Sequence, residues 1–571
     1  MSSHFKVLFL WTVLLIGVLS GKPQGKSIPA ELPKGWHLLD REKDGYYGIS
    51  LAKAYEFLKA RNLKSKTVIV AVIDSGIDTL HEDLQGVLWV NPKEIPGNGI
   101  DDDHDGYVDD VHGWNFLGGK DGSNVKDDAP EEARIYYQFK EKFEDKNFDS
   151  VNLNEGDRES YAMWKTAKKK IMSDDPESSG IDLVMLDRVV KACVKSDSIL
   201  QKALGKDEYT GSELDAFQPT GNDAKTAKSV LLYLFREEHA MEMTNTLFLQ
   251  EFNDELERQE KKVALKSTPP SNYRKDVVKD NENDINDKDY GNTNIMAGDP
   301  MHGTHVAGII GAIRNNAVGI DGVADNVKIM MLRVVPNGDE HDKDIALAIH
   351  YASDNGAKVI NMSFGKNLSP QKKWVDEAVN YAAGKGVLMV HAAGNDAADI
   401  DTVANYPNPN LLFNKSRATN WITVGASSDP AAEPESKGYV ASFSNFGKRE
   451  VDVFAPGTRI YSTLPGGNKY GNLDGTSMAT PVVTGVAALI LEYFPTLTPA
   501  QVKYCIEKSA IHPAEKTRKP GSENQIVSLG EISTSGGLLN AYGAVKLAAE
   551  LSNTPKLKAP QPKSTMKSNK N

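Results

Sequence analysis

The chain has 571 residues, a length of roughly three or four domains. Its 40% hydrophobic and 25% charged residues exclude a collagen, a largely disordered chain and a polytopic membrane protein. A net charge of −12, from 66 Lys and Arg against 78 Asp and Glu, argues against a nucleic-acid partner and suits cation binding by clustered carboxylates. Two cysteines, Cys193 and Cys505, are too few for a disulfide scaffold or a thiolate metal site.

The first element is an apolar run from Val7 to Leu19, preceded by His4 and Lys6 and closed by Val18-Leu19-Ser20. It is short for a membrane span and has the layout of a signal peptide, assigned to residues 1–21. This predicts export, to the medium or the cell envelope (periplasm), and a mature chain with no stable membrane span. No cysteine follows the run, so a lipoprotein anchor is excluded. Residues 22–66 read as a polar extension with several prolines. Thr67–Ile73 is continuous and β-branched, the pattern of a buried parallel strand, and it ends on Asp74-Ser75-Gly76.

Residues 67–127 form the first part of the main domain. Within them, Asp101, Asp103 and Asp105 followed by Gly106 have the spacing of an EF-hand-like calcium loop, although its twelfth position is His112 and not Glu. From 128 to 294 the text changes to a mostly helical insertion, rich in Lys, Glu and Asp, that ends in a polar Asn/Asp-rich linker over 270–294. Tyr233, Leu234, Phe235 and Phe248 supply it with a small core of its own. From 295 to 552 strands and helices alternate. Strands are predicted at Val327–Val335, Lys358–Met362, Val387–Ala393 and Trp421–Val424. Helices are predicted at Asp344–Asn355, with Ile345, Ala348, Ile349 and Ala352 on one face, and at Pro370–Ala383. Such alternation implies an α/β fold with a doubly wound, mostly parallel sheet whose chemistry gathers at the carboxyl ends of the strands. Residues 553–571, rich in Pro and Lys, read as a disordered tail.

Three segments carry the chemistry: Val72-Ile-Asp74-Ser-Gly76, His302-Gly-Thr-His305-Val-Ala-Gly308 and Gly475-Thr-Ser477-Met-Ala-Thr-Pro481. Together, and in that order, they resemble the subtilisin-like serine proteases, the subtilases. The resemblance covers Val68–Asn115 and Met296–Ala549 and implies a serine endopeptidase acting on protein or peptide substrates without a catalytic cofactor. The residues support that chemistry. A serine hydroxyl needs a nearby imidazole to take its proton. Ser477 precedes an apolar helix, so it sits where unpaired N–H groups favour developing negative charge. Pro481 is read as lying in the first turn, where its missing donor is harmless, and Gly303 as admitting a neighbouring backbone. The family pattern makes His302 the base and Asp74 its orienting carboxylate. His305 reads as a packed structural histidine.

The resemblance implies further residues. Asn395, at the end of Val387–Asn395, matches the oxyanion-stabilising asparagine. Ser363-Phe364-Gly365 matches the strand on which an extended substrate pairs. Ala392, Ala393 and Gly394 match the facing wall of the primary specificity pocket. Asn405, in Asn405-Tyr406-Pro407, lies at the base of that pocket, where many relatives carry glycine. His391 stands where a small apolar residue is usual and reads as structural. A second calcium site is implied at Asp83 and Asn316, completed by carbonyls around Ile313 and Val318. Two further departures concern lengths: Asp74 and His302 are 228 residues apart rather than a few tens, and the roughly 45 residues between the signal and Val68 are too few for the folded pro-domain that many relatives carry. The insertion between them is expected to stand as a helical cap beside the cleft. The rival reading from another class is a retired subtilase fold used as a peptide-binding or adhesive module, and a third makes the helical insertion the functional part and the protease its carrier.

Overall fold

The β-branched run beginning at Val68 forms the central strand of the protein. The computed structural model describes residues 32–145, 148–172, 183–238, 240–431, 438–522 and 524–553. The signal-peptide reading of 1–21 and the tail from 554 onward lie outside the described residues.

Seven parallel strands make one sheet: β1 (Val68–Asp74), β2 (Gly113–Asn115), β3 (Val327–Arg333), β4 (Val359–Met362), β5 (Leu388–Ala392), β6 (Trp421–Ser427) and β7 (Val453–Pro456), in the order β2-β3-β1-β4-β5-β6-β7. Their side chains are buried on both faces, as a parallel sheet covered by helices requires. Along β1, Val70 and Val72 enter one core while Ala71 and Ile73 enter the other. An antiparallel hairpin, β8 (Ile460–Leu464) and β9 (Lys469–Leu473), follows the sheet.

The extension before β1 is more than a polar lead. Its described part includes α1 (Leu51–Ala60), and it buries Trp36, Ile49 and Leu51 in the main core. The Trp36 indole donates to the Thr458 carbonyl at 3.0 Å.

Among its described residues the insertion holds six α-helices: α2 (Glu131–Phe143), α3 (Glu155–Ile171), α4 (Leu183–Leu204), α5 (Gly211–Ala216), α6 (Asn222–Glu237) and α7 (Asn245–Ala264). Side-chain caps start several of them. Asn154 accepts from the Asp157 N–H, Thr244 from the Leu247 N–H, and Thr210 with Glu213 forms a capping box. Phe248 stacks on Phe235 and meets Phe252 edge-on, beside Leu186, Val190 and Leu231, and this cluster is continuous with the main core rather than the separate small core expected. The α2–α3 pair has its own aromatic cluster of Tyr136, Phe143 and Trp164, which also takes in Leu368 from the main domain.

The insertion leaves and returns through one stem. Asn115 and Asn292 exchange backbone hydrogen bonds of 2.9 and 3.1 Å, and the Trp114 indole donates to the Tyr290 carbonyl at 3.1 Å. The stretch read as a linker over 270–294 is anchored. Arg274, 3% exposed, makes two bonds of 2.6 and 2.8 Å to Asp344, and Asp280 meets Lys343 at 2.6 Å. A row of polar residues looks like a loop in sequence, and partners 63 and 70 residues away fold it down.

The remaining helices cover the sheet. On one side lie α8 (Met301–Gly311) and, near the end of the chain, α11 (Thr476–Tyr493), α12 (Pro499–Lys508) and α13 (Ala541–Asn553). On the other lie α9 (Asp342–Asp354) and α10 (Lys372–Gly384). Among the described residues one helix, α11, is long and apolar enough to cross a membrane, and 94% of it is buried inside the protein. Cys193 and Cys505 are buried and unbridged.

Candidate active site

The carboxyl ends of β1, β4 and β5 and the amino ends of α8 and α11 converge on one place. Asp74 is the last residue of β1 and is 1% exposed. Its Oδ1 accepts from the Ser75 N–H at 2.7 Å and lies 2.7 Å from Nδ1 of His302. His302 is the second residue of α8. Gly303 beside it is obligatory for this approach, because a Cβ there would lie 2.1 Å from the Gly76 carbonyl oxygen and 3.2 Å from the Asp74 Cβ. His305 is fully buried with its Nε2 3.1 Å from the Gly471 carbonyl, a packed structural position.

Ser477 is the second residue of α11 and is 8% exposed. Its hydroxyl donates to the Ser363 carbonyl at 3.0 Å, and the Ser363 hydroxyl donates back to the Ser477 carbonyl at 2.9 Å. The second bond corrects the expectation for Pro481. That residue lies one turn deeper than the first turn of α11, at the position whose N–H would close the helical bond to Ser477. Proline has no N–H, so the Ser477 carbonyl is left open and Ser363 fills it. Asn361 and Thr484 back this arrangement, with Asn361 donating to the Ser363 Oγ at 3.0 Å and Thr484 donating to Asn361 Oδ1 at 2.8 Å.

Asn395 follows β5. Its Oδ1 accepts from the N–H and hydroxyl of Thr476 at 2.8 and 2.9 Å, which fixes which end of the amide faces α11. A Cβ on Gly475 would lie 3.5 Å from the Ser477 N and 3.6 Å from the Asn395 Nδ2, so both donors border the same small volume.

The predicted pocket residues come together around Asn405. Its Nδ2 donates to the Ala392 and Ala393 carbonyls at 3.1 and 3.0 Å. On the opposite side its Oδ1 lies 2.5 Å from where a Cβ of Gly365 would stand. Asn405 thus bridges the Ser363-Phe364-Gly365 segment and the Ala392-Ala393-Gly394 segment, and Asn445 adds a bond of 2.9 Å to the Ala393 carbonyl. His391 is buried against Phe364 and Trp421, and burial pulls its pKa down to about 3.

Of the predicted metal ligands, Asp83 and Asn316 are adjacent, the Asn316 amide donating to Asp83 Oδ1 at 2.6 Å. Burial raises the Asp83 pKa. Asp101 and Asp103 are grouped with Glu94, their candidate ligand atoms all within 4.8 Å. Asp105 is outside that group, and burial beside Asp110 and Asp103 pushes it up to about 7.

Residues 65–544 match the Subtilase family. The chain belongs to that family. This subtilase is 44% identical over 197 residues to the thermophilic serine proteinase of Bacillus sp. (strain AK1), covering 34% of this chain and 44% of that protein. It is 44% identical over 190 residues to thermitase of Thermoactinomyces vulgaris, covering 33% and 60%. With subtilisin E of Bacillus subtilis (strain 168) the identity is 40% over 224 residues, covering 38% and 53%. The chain spans about half the length of these curated relatives. Among solved structures, the protease domain of PatA, determined as a serine-to-alanine mutant, aligns with a TM-score of 0.35 and 28% identity over 44% of this chain and 81% of that one.

Sequence reasoning missed Asn361, Thr484 and Asn445, which hold the subtilase motifs in place. It also missed Lys366, the residue after Gly365. The Lys366 side chain is fully buried, with its ammonium 2.7 Å from Glu131, 2.9 Å from Asp342 and 2.8 Å from the Glu340 carbonyl. Arg134 extends the node, donating to Glu131 and to the Asp339 and Glu340 carbonyls. These charges tie the first helix of the insertion to the end of the predicted substrate strand. The insertion reaches the site elsewhere too. Glu208 pairs with Lys469 at 2.6 Å, and Glu238, just past α6, is pushed up to about 8 by burial and by Asp474, three residues before Ser477. No sequence signal pairs Glu131 with Lys366 across 235 residues.

Proposed function

We propose that this subtilase is an exported serine endopeptidase. Ser477 attacks the carbonyl of the scissile peptide, passing its proton to His302. Asp74 holds the imidazole in the tautomer that leaves the far nitrogen free, and it stabilises the positive charge that forms. The observation that carries this reading is the 2.7 Å contact of His302 Nδ1 with Asp74 Oδ1, in a chain of this family whose Ser477 opens a buried helix and turns its hydroxyl to the Ser363 carbonyl. The Asn395 amide and the Ser477 N–H receive the oxyanion of the tetrahedral intermediate, a reading supported by their common border at Gly475. His302 then delivers its proton to the leaving amine.

An extended substrate pairs along Ser363-Phe364-Gly365, and its side chain before the scissile bond enters between that segment and Ala392-Ala393-Gly394. Asn405 gives the pocket a polar base. The helical insertion caps the cleft, supported by its ties to Lys366, Lys469 and the loop of Asp474.

Calcium is the structural cofactor this family implies, and Asp83 fits it. Its carboxylate is fully buried, and the hydrogen bonds it receives come from uncharged Asn316, Ile320 and Tyr470. Bound there beside Asn316, a calcium ion would supply the missing positive charge. Export is supported by the apolar run at Val7–Leu19 and by similarity to the extracellular protease of Xanthomonas campestris pv. campestris (strain ATCC 33913 / DSM 3586 / NCPPB 528 / LMG 568 / P 25), 38% identical over 231 residues, 38% of this chain and 37% of that protein.

The deciding experiment is labelling of the full chain by a fluorophosphonate probe, with Ser477→Ala as control. The expected result is a stoichiometric adduct on Ser477 and none in the variant. A folded wild-type chain that stays unlabelled rejects the hydrolase and leaves the peptide-binding reading.

A further inference from the structure

Peptide hydrolysis makes no use of the loop from Asn91 to His112, although it holds the densest run of carboxylates in the chain. The structure groups them differently from the order of the sequence. Candidate ligand oxygens of Glu94, Asp101 and Asp103 lie within 4.8 Å of one another. The Asp103 side chain is only 3% exposed. Its Oδ2 meets Lys93 at 3.2 Å, while its Oδ1 is sealed from solvent and has no hydrogen-bond partner. An ionised oxygen in that state is costly unless a cation stands against it. The Lys93 side chain is mostly exposed and touches only the other oxygen. Glu94 sits at the centre, its carboxylate accepting from the N–H groups of Asp102, Asp103 and Asp109 at 2.8, 3.2 and 3.1 Å. Three anionic oxygens and no nitrogen or sulfur donor suit a hard cation of calcium type.

The surroundings show what such an ion would hold. The loop is closed at its neck, where Asn91 donates to the Val111 carbonyl and to Asp110 at 2.8 Å each. It runs directly into β2, and β2 ends at Asn115, whose backbone pairs with Asn292 at the stem of the insertion. Tyr107, inside the loop, packs its ring 5.1 Å from Trp114 on β2 and 4.9 Å from Tyr351 on α9.

We propose that Glu94, Asp101 and Asp103 form a calcium-type cation site that clamps the base of the helical insertion, fixing β2 and the Asn115–Asn292 stem. Glu94 lies outside the acidic run legible in the sequence, and Asp105 is not a ligand. The site is independent of the peptidase reading, since no step of hydrolysis passes through it.

Terbium is the probe, because its emission is sensitised by nearby aromatic rings and the loop itself carries Tyr107, packed on Trp114. The full chain carries Asp83→Asn and Asp254→Asn to silence the Asp83 site and the Glu251, Asp254 and Asp299 group, and Ser477→Ala to prevent self-cleavage, and is stripped with a chelator. Added terbium should emit on aromatic excitation and be displaced by calcium. Glu94→Gln and Asp103→Asn should each weaken binding by about ten-fold or more, and Asp105→Asn by no more than about two-fold. Calcium should also slow hydrogen exchange at residues 113–116 and 290–292 by about ten-fold in the parent chain and not in Glu94→Gln. Unchanged terbium affinity in both Glu94→Gln and Asp103→Asn overturns the proposal, as does a loss in Asp105→Asn equal to theirs. If either variant fails to fold, exchange at the stem of the parent chain with calcium and with chelator still decides, and equal rates overturn the clamp.

Discussion

Pro481 stands four residues beyond Ser477 on the same helix, where an N–H would normally reach back to the Ser477 carbonyl, and the Ser363 hydroxyl occupies that place at 2.9 Å. The proline therefore does more than tolerate the helix. It opens an acceptor through which the predicted substrate strand is bolted to the predicted nucleophile. Ser363→Ala should leave that carbonyl unpaired, a loss of about 1–3 kcal/mol. Part of it should appear as a fall in kcat of about ten-fold with KM little changed. Steady-state hydrolysis of a short peptide checks this, and an unchanged kcat would show that the bond does not govern Ser477.

Asn395→Ala should lower kcat by about 10²–10³-fold, the loss measured for the corresponding donor in subtilisin, which is a relative of this chain. Fluorophosphonate labelling should survive, because Ser477 and His302 stay in place. A variant with full turnover would remove Asn395 from the mechanism.

Lys366→Met should destabilise the fold strongly. It leaves Asp342 without its buried cation and Glu131 with Arg134 alone, a breakage that costs about 3–5 kcal/mol. Urea unfolding measures it, and a loss under about 1 kcal/mol would mean that solvent reaches the node and screens it.

The insertion can be shortened where its own packing permits. Ile171 and Leu265 lie in one cluster with Ala129 and Ala133, so a short Gly/Ser linker can replace residues 173–264 while keeping Glu131 and Arg134. The expected outcome is a rise in cleavage of a folded protein relative to a short peptide, read as a ratio of kcat/KM values. An unchanged ratio in a folded, probe-reactive variant would reject the cap.

Docking of α7 should depend on pH. Glu251, Asp254 and Asp299 bring carboxylate oxygens within 4.8 Å where α7 meets the loop before His302. Lys126, Arg258, Glu255 and Glu257 are the charged neighbours. Burial and then Asp299 push Glu251 from 4.5 up to about 7, and burial raises Asp254. A carboxyl raised in this way favours the docked state only when protonated, so docking should strengthen as pH falls from about 7 toward about 4.5 and be weakest above 7. Hydrogen exchange along α7 at several pH values reads this, and Glu251→Gln should flatten the profile. Protection that grows as pH rises would contradict it.

Much of this was written locally. The strand ending at Asp74, the alternation that builds the parallel sheet and the small residues around His302 and Ser477 each depend on neighbours in the chain, and periodicity reports such neighbours directly. The contribution of residues 32–66 to the core was hidden, because Trp36 sits in a single 3₁₀ turn and Ile49 in a loop, both too short to repeat a pattern. The depth of Pro481 in its helix was also misread, since helix ends are the least legible part of a periodic signal.

The sequence by itself determined the order of the proposed catalytic residue types, the sheet they stand on and the presence of a helical insertion, because these follow from short-range pattern and from motif. Only the tertiary structure decided that Glu131 meets Lys366, that Glu94 rather than Asp105 joins Asp101 and Asp103, and that Ser363 takes the bond Pro481 cannot make. Each of these pairs a buried polar group with a partner that folding, and not chain proximity or period, brings within about 3–5 Å, and the cost of leaving such a group unpaired is what fixes the choice.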